Sequence, residues 1–578
     1  MSDPARLVPL HRTGLRKLTL EQAVRRAQLL VDRSGLLPAV QAHLHAETGA
    51  PREFTARALL VGLATHALRL GEMHLTKVLS TLADLSPSAR HDLGLSEEAA
   101  TYRMLWHAFT GLNRALETGS LAIPHNHHWV NRATGELLPC PAHCPHQPIT
   151  TGEFVGRLLD ASVPDSLQLT GVLAIDSTDF ETWARRRSWN RAPDVDPDHL
   201  PVQDDETHDD KRLPNEPTWP RIGHDGRAQH TVDWDAREGY RSGTNGGRGQ
   251  VFCGFDLHLA VNARTTTGPE VPFVFTGLHL APAGSHKGEA GIALIDQVRA
   301  RRPDQPPITE VLADRGYSYC TPARWAHPVR ARGIEATIDL HPNQRGQHPG
   351  PIPGTVIIDG TLFTDALPPP LRRLPGFPIG MAKEDKAALH QRYDQRAAYA
   401  FTPHSRPDID GYQRFKGPAV AKRVRCPNYP PSLRLPHDRP TTRCARGMPC
   451  ACGKTITLGP QDMAWTRQRT VWGTSAWAAD YGRRSAVESG NAEIKTHRLH
   501  IDRGFTRVMG TLKNTLLLAF AIAGLNVVLL RDWHAKRQRP DPWATLTGEP
   551  EQPRKTRRTG TKRRTTTLAT LTAGEPPG

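Results

Sequence analysis

Apolar residues recur at helical spacing through "LTLEQAVRRAQLLVDRSGLL" and "FTARALLVGLATHALRLGEMHLTKVLSTL", with Gly and Pro mostly at the junctions. That pattern predicts helices over residues 15–120 and an all-α N-terminal domain over 1–150, whose last part, 121–150, is His-, Pro- and Cys-rich and reads as a loop. The period then changes. "GVLAIDSTDF" is a short apolar run ending in Asp176, "QVFCGFDLHLAVNA" and "PFVFTGLHLAP" read as a strand pair, "GEAGIALIDQVRA" as a helix, and "ITEVLADRGY" as a strand ending in Asp314. The order strand, strand, strand, helix, strand predicts an α/β core whose first part spans 165–340. Residues 186–250 lack apolar periodicity and read as a flexible insertion within it. Pro-rich stretches with short strand-like runs such as "GTVIIDGTLF" make 341–470 an irregular, partly β insertion. Residues 471–536 return to helix and complete the core, and 537–578 read as a basic disordered tail.

Charge narrows the class of partner. The 578 residues carry 74 Lys plus Arg against 58 Asp plus Glu, a net charge of +16, which points to an acidic polymer, with nucleic acid foremost. Seven of these cations lie between Arg554 and Arg564, and 16 − 7 leaves +9 on the rest, so the excess is not confined to the tail. The start, "MSDPARLVPLHRTGLRKL", has no apolar stretch of signal-peptide length, and eight Cys in so long a chain do not make a secreted disulfide framework. A reducing cytoplasm is the expected compartment. "LLLAFAIAGLNVVLL", Leu516 to Leu530, is apolar except for Asn526 and is bounded by Lys513 and Arg531; at 15 residues against the ~20 a bilayer needs, it is expected to be a buried core helix and not a membrane span.

Candidate chemistry lies in "YGRRSAVESGNAEIK". At ~100° per residue, Tyr481, Arg484, Glu488 and Lys495 fall within an arc of roughly 60°, so a carboxylate, two cations and a phenol share one helix face. Such a face suits a phosphate backbone bearing a metal ion; the bland reading is a solvated face with an intrahelical Arg484–Glu488 pair. If the strands ending in Asp176 and Asp314 lie side by side and parallel, the two aspartates emerge at one sheet edge, and a later helix can bring Glu488 beside them. Three converging carboxylates repel one another unless divalent cations neutralise them, and two Mg²⁺ (or Mn²⁺) ions are the arrangement that drives phosphoryl transfer. Asp179, three residues further along what reads as the turn "DSTD", is the alternative to Asp176, which is preferred because it directly follows the apolar run.

These residues resemble the DDE transposases of bacterial insertion sequences, in particular the group with the signature Tyr-x2-Arg-x3-Glu-x6-Lys, matched by Tyr481, Arg484, Glu488 and Lys495. "AIDST" and "LADRGY" look like that family's two aspartate motifs, and "GFDLHLAV" resembles the strand after the first; the resemblance covers roughly 170–320 and 470–530. It implies a ribonuclease H-like catalytic fold interrupted by a largely β insertion, metal binding by Asp176, Asp314 and Glu488, and phosphate contacts by Tyr481, Arg484 and Lys495. It also implies cleavage of double-stranded DNA at transposon ends, transfer of the freed 3′ hydroxyls to target DNA, a homodimer on paired ends, and a nucleoid-associated site of action. Recognition of the ends is expected of the N-terminal helical domain. The runner-up functions are a nuclease of the same fold that cuts without joining, and a catalytically silent DNA-binding derivative.

The chain departs from the family pattern in its longer insertion after the first aspartate and in Gly482 and Gly490, which flank Glu488 inside the expected helix. His286 in "PAGSHKGEA" sits at a strand-to-helix turn as a further candidate. Two sets of soft ligands remain: Cys426, Cys444, Cys450 and Cys452, with His437 between them, as a candidate structural Zn²⁺ set, and Cys140, His143, Cys144 and His146 in "CPAHCPHQ".

Overall fold

The structure is a computed structural model that describes residues 17–44, 54–95, 100–122, 133–134, 147–186, 221–222, 228–241, 250–300, 305–378, 380–435 and 437–550. Cys140, His143, Cys144, His146 and the basic run Arg554–Arg564 lie outside these residues.

From Leu20 to Ala161 every named element is a helix: Leu20–Ser34, Leu37–Leu44, Ala56–Leu68, Leu75–Ala83, Pro87–Asp92, Tyr102–Glu117 and Thr151–Ala161. Their ends follow the capping rules. Thr19 accepts from the Gln22 N–H while Gln22 reaches back to Thr19, and Gly35 closes the same helix in the left-handed region at φ 62°.

The sheet has six strands: β1 (Val172–Glu181), β2 (Arg237–Arg241), β3 (Gln250–Asn262), β4 (Phe275–Pro282), β5 (Glu310–Ala313) and β6 (Glu335–Ile338). β3 runs antiparallel between β1 and β4, whereas β5 pairs with β1 in parallel and β6 with β5 in parallel. The helix Lys287–Arg299 carries the chain from β4 to β5 across the sheet. "DSTD" is not a turn: β1 continues through it to Glu181, paired residue by residue with β3. Even-numbered β1 residues such as Ala174 pack into the core shared with the helices, while Leu173 and Ile175 pack against Leu294, Ile295 and Tyr317 on the other side.

The apolar run belongs to a 26-residue helix, Thr511–Lys536, longer than the run itself. By length and composition it would span a bilayer, but 89% of its most apolar stretch is buried against protein. Ala56–Leu68 crosses it so closely that a Cβ on Gly524 would stand 2.8 Å from the Ala67 carbonyl carbon. Asn526, the one polar residue of the run, has its partners on β4 and beside it: its Oδ1 accepts the Phe275 N–H at 2.8 Å, and its Nδ2 donates to the Phe275 carbonyl at 2.9 Å and to Ser162 Oγ at 2.8 Å. The side chain pairs with β4 as a neighbouring strand would, so no buried amide is left open.

The expected flexible insertion and the expected disordered tail are each partly ordered. Within 186–250, β2 pairs with β3, and Asp233 and Asp235 just before it accept the Gly510 and Thr511 N–H groups at 3.0 and 2.6 Å. They place negative charge at the N-terminus of the long helix, a role that apolar periodicity cannot announce. The expected tail likewise begins late. Pro542–Thr547 is helical, Trp543 is fully buried, and Glu549 pairs with the buried Arg26 at 2.7 Å.

Between β6 and residue 471 the expected irregular insertion contains two small three-stranded sheets, Gln347–Pro349 with Thr355–Ile358 and Thr361–Thr364, and Thr402–Pro403 with Gln413–Lys416 and Thr455–Leu458. It also contains one sizeable helix, Lys383–Ala397.

Replacing Asn526 with Leu keeps the helix but strips two buried backbone groups of their partners. The expected loss is about 2–4 kcal/mol, read as a lower urea midpoint at unchanged m-value; an unchanged midpoint would show that the Asn526–Phe275 pairing is dispensable.

Candidate active site

Register assembles the site. Ile175 on β1 is the parallel partner of Ala313 on β5, so the next residues, Asp176 and Asp314, stand side by side where β5 ends. Asp176 is held by the Ser177 N–H at 2.8 Å, Asn491 Nδ2 at 3.1 Å and Arg484 Nη1 at 3.4 Å. Burial, and then the neighbouring charge of Asp314, push its carboxyl up to about 6, against the pull of Arg484. Asp314 caps the single helical turn Arg315–Ser318, its Oδ1 accepting from the Gly316 N–H at 2.9 Å. A Cβ on Gly316 would come within 3.0 Å of that oxygen, which accounts for the glycine in "DRGY".

The third carboxylate arrives on a helix that is not one straight cylinder. Ser475–Gly482 ends, the chain tightens through i to i+3 bonds such as Arg484 N–H to Tyr481 O at 2.9 Å, and Ser485–Ala492 follows, continued by the π-helical turn Glu493–His497. Tightening overwinds the helix and a π turn underwinds it, so the four residues do not stand on one ideal cylinder. The two glycines have different causes. A Cβ on Gly490 would meet the Phe275 ring at 2.9 Å, so this glycine lets the helix lie on the sheet, whereas Gly482 faces open space at the break.

Three signature residues still gather. Arg484 pairs with Glu488 as well as Asp176, and its guanidinium lies 5.5 Å from the Tyr481 ring, which in turn stacks on Trp477 at 5.0 Å. Burial raises the Tyr481 phenol well above its ordinary range, keeping it neutral. Glu488 is the most open of the acids, its side chain 55% exposed. Lys495 goes elsewhere: its ammonium contacts Asp179, with Nζ 3.1 Å from Oδ2, and Arg241 of β2 joins the same carboxylate. Asp179 is partly buried, yet Lys495 and Arg241 hold it below the usual carboxylate range. Asp179 is thus paired with two cations, while Asp176 stands beside Asp314 and meets Arg484 and Asn491.

Several contributors are not legible in the sequence motifs. Asn491 is one turn beyond Glu488, a spacing that gains meaning only once the helix is placed. Arg483, beside Arg484, is fully buried and grips Glu310 at the start of β5 with bonds of 2.6 and 2.9 Å, fixing the helix break to the strand that carries Asp314. Beneath the acids Tyr317 is fully buried, bonded to His258 Nδ1 at 2.9 Å, and burial followed by the charges of Asp176 and Asp314 raises its phenol. Lys287 is a cation sensed by Asp176, whereas its neighbour His286 forms no capping bond.

Asp176 and Asp314, side by side, are hard oxygen donors of the kind that suits divalent cations of the Mg²⁺ class, whereas Glu488 is linked to Asp176 through Arg484, and among the described residues the three acids do not close into a ligand-spaced set as the sequence led one to expect. The four cysteines of the insertion also meet, all Sγ atoms lying within 4.8 Å of one another, and His437 does not join them.

No curated protein matches the chain by sequence comparison. The family model described as "Transposase DDE domain" matches residues 168–525, which include all six strands, both insertions and the glutamate helix. That match spans more than half of the 578 residues, and the chain belongs to the DDE-domain transposase family.

Proposed function

We propose that this transposase cuts double-stranded DNA at the ends of its mobile element and joins the freed 3′ hydroxyls to a target, with Asp176, Asp314 and Glu488 as the catalytic carboxylates. The observation that carries the reading is the side-by-side placement of Asp176 and Asp314 by the Ile175–Ala313 register, with Arg484 linking Asp176 to Glu488. The strand order β4-β3-β1-β5-β6, antiparallel then parallel, supports a ribonuclease H-like core.

The three acids would hold two Mg²⁺ or Mn²⁺ ions, which supply activation of a water or hydroxyl nucleophile and stabilisation of the leaving oxygen. The chain's own residues do the rest. Asn491 and Arg484 orient the Asp176 carboxylate, and Arg483 keeps the helix break in place against β5. Arg484, Tyr481 and Lys495 are the proposed phosphate contacts, with Lys495 steadied by Asp179. The N-terminal helices are the proposed readers of the element ends, and a homodimer on paired ends, acting at the nucleoid in the cytoplasm, follows from the family resemblance.

Asp176→Asn, Asp314→Asn and Glu488→Gln are each expected to abolish Mg²⁺-dependent cleavage of element-end DNA while leaving binding nearly intact. Asp179→Asn should keep metal-dependent cleavage. A cleaving variant among the first three would remove that residue from the site, and cleavage products that never join to target would turn the reading to a nuclease.

The Asp176 carboxyl also gives a pH signature. Its folded value, about 6, lies above the ordinary aspartate value of 3.8, so the native state binds the proton more tightly and loses stability as pH rises through that window. In chelator, Asp176→Asn should therefore be more stable than the parent at pH 7.5, on the order of 1–3 kcal/mol, with the gain vanishing near pH 4. Urea midpoints at the two pH values measure this, and equal midpoints at pH 7.5 would contradict it. Because Arg484 favours the ionised form, Arg484→Ala should move the acid limb of any residual cleavage to higher pH.

A further inference from the structure

The segment from Lys422 to Lys454 has almost no core of its own. Among its described residues the named elements are the single turn Pro430–Ser432 and no strand, and Val424, Ala451 and two cysteines supply most of the buried apolar surface. Yet its loops are held in defined positions around the four thiols. Cys426 and Cys452 are fully buried, Cys444 and Cys450 half-buried. The Sγ atoms of Cys426 and Cys450 are 3.6 Å apart and those of Cys444 and Cys452 3.8 Å apart. A tetrahedral Zn²⁺ with bonds of about 2.3 Å requires sulfur–sulfur edges of ~3.8 Å, whereas a disulfide requires ~2.05 Å.

The surroundings have the form of an outer shell. Asn428 Nδ2 lies 3.6 Å from Cys450 Sγ while also donating to the Ala445 and Met448 carbonyls at 2.9 Å each, and its Oδ1 accepts from the Gly447 N–H at 3.0 Å. One side chain thus fixes the loop that joins two of the cysteines. Thr364, on the neighbouring small sheet, stands 3.2 Å from Cys452 Sγ and ties the cluster to the rest of the insertion. Outer-shell bonds of this kind orient ligands.

The same segment is basic. It carries eight Lys and Arg against one acid, Asp438, a net of 8 − 1 = +7. Asp438 is taken by Arg425 at 2.8 Å, and Lys422, Arg434, Arg439, Arg443, Arg446 and Lys454 are exposed. Like charges crowded on a surface without a core repel, so the knuckle needs a tie at its centre and a polyanion outside.

We propose that Cys426, Cys444, Cys450 and Cys452 hold one structural Zn²⁺ ion, and that the basic knuckle it closes contacts the DNA phosphate backbone. The metal site stands on the thiol geometry alone; the phosphate contact rests on the transposase reading. Zinc neutralises four thiolates' mutual repulsion and supplies the folding free energy that so small a core cannot.

The test uses the full chain. Purified without added metal, it should retain a zinc equivalent, by elemental analysis, that Cys426→Ser and Cys450→Ser lose and Cys320→Ser keeps. A thiol-blocking mercurial should release that zinc from the unaltered protein, and Co²⁺ loaded in its place should show the visible spectrum of a tetrahedral tetrathiolate, so the outcome does not depend on the variants folding. Retained zinc in both Ser variants, or four free thiols with no zinc, would overturn the metal site. Joint replacement of Arg434, Arg439, Arg443 and Arg446 by Ala should leave the zinc in place and flatten log K against log salt for plain duplex DNA, by about 0.9 for each phosphate no longer neutralised. An unchanged slope would overturn the phosphate contact, and since neither readout uses cleavage, failure of the proposed catalysis would appear separately.

Discussion

One register governs the candidate site: the parallel pairing of Ile175 with Ala313. Two strands far apart in the chain lie side by side, and an aspartate follows the last residue that each contributes to their pairing. Burial, and then the charge of the neighbouring Asp314, make Asp176 reluctant to ionise, and the residues around it are arranged to offset that cost. Arg484, Asn491 and the Ser177 N–H favour the ionised form of Asp176, and the N–H groups of the Arg315–Ser318 turn hold Asp314 in place. For Asp176 the offset is incomplete.

The helix carrying Glu488 has to meet that edge from the far end of the sequence, and its position is set by contacts other than the carboxylate. Arg483 locks into Glu310 on β5, Gly490 lets the backbone approach the Phe275 ring, and Lys495 reaches Asp179 on β1. Adjacent arginines therefore have opposite environments: Arg483 is buried in a bidentate pair with Glu310, and Arg484 faces the acids. Breaking a buried pair of the first kind leaves an uncompensated charge, so the break between the two short helices is tied to β5.

The long helix Thr511–Lys536 extends the same logic to the whole molecule. Its N-terminus is capped by Asp233 and Asp235 from the segment after β1, its middle binds β4 through Asn526, and the N-terminal helices close over its other side with Gly524 at the crossing. The N-terminal helices and the sheet consequently share one hydrophobic core. A helix with the composition of a membrane span is here the common wall of both.

Local pattern in the sequence determined most of the elements: the N-terminal helices, the β3–β4 pair, the helix Lys287–Arg299 and the strands leading to Asp176 and Asp314, because periodicity and capping are short-range effects. The spacing of Tyr481, Arg484 and Glu488 likewise identified residues that do meet. Tertiary structure alone decided what depends on partners distant in the chain. It made Asp179 a partner of Lys495 and Arg241, continued β1 through "DSTD", ordered the segment before β2 through its carboxylates, and drew four irregularly spaced cysteines together. It also interrupted the glutamate helix, since ideal winding assumes an unperturbed backbone. Arg483 bound to Glu310 and Gly490 pressed against Phe275 are forces that no helical wheel contains.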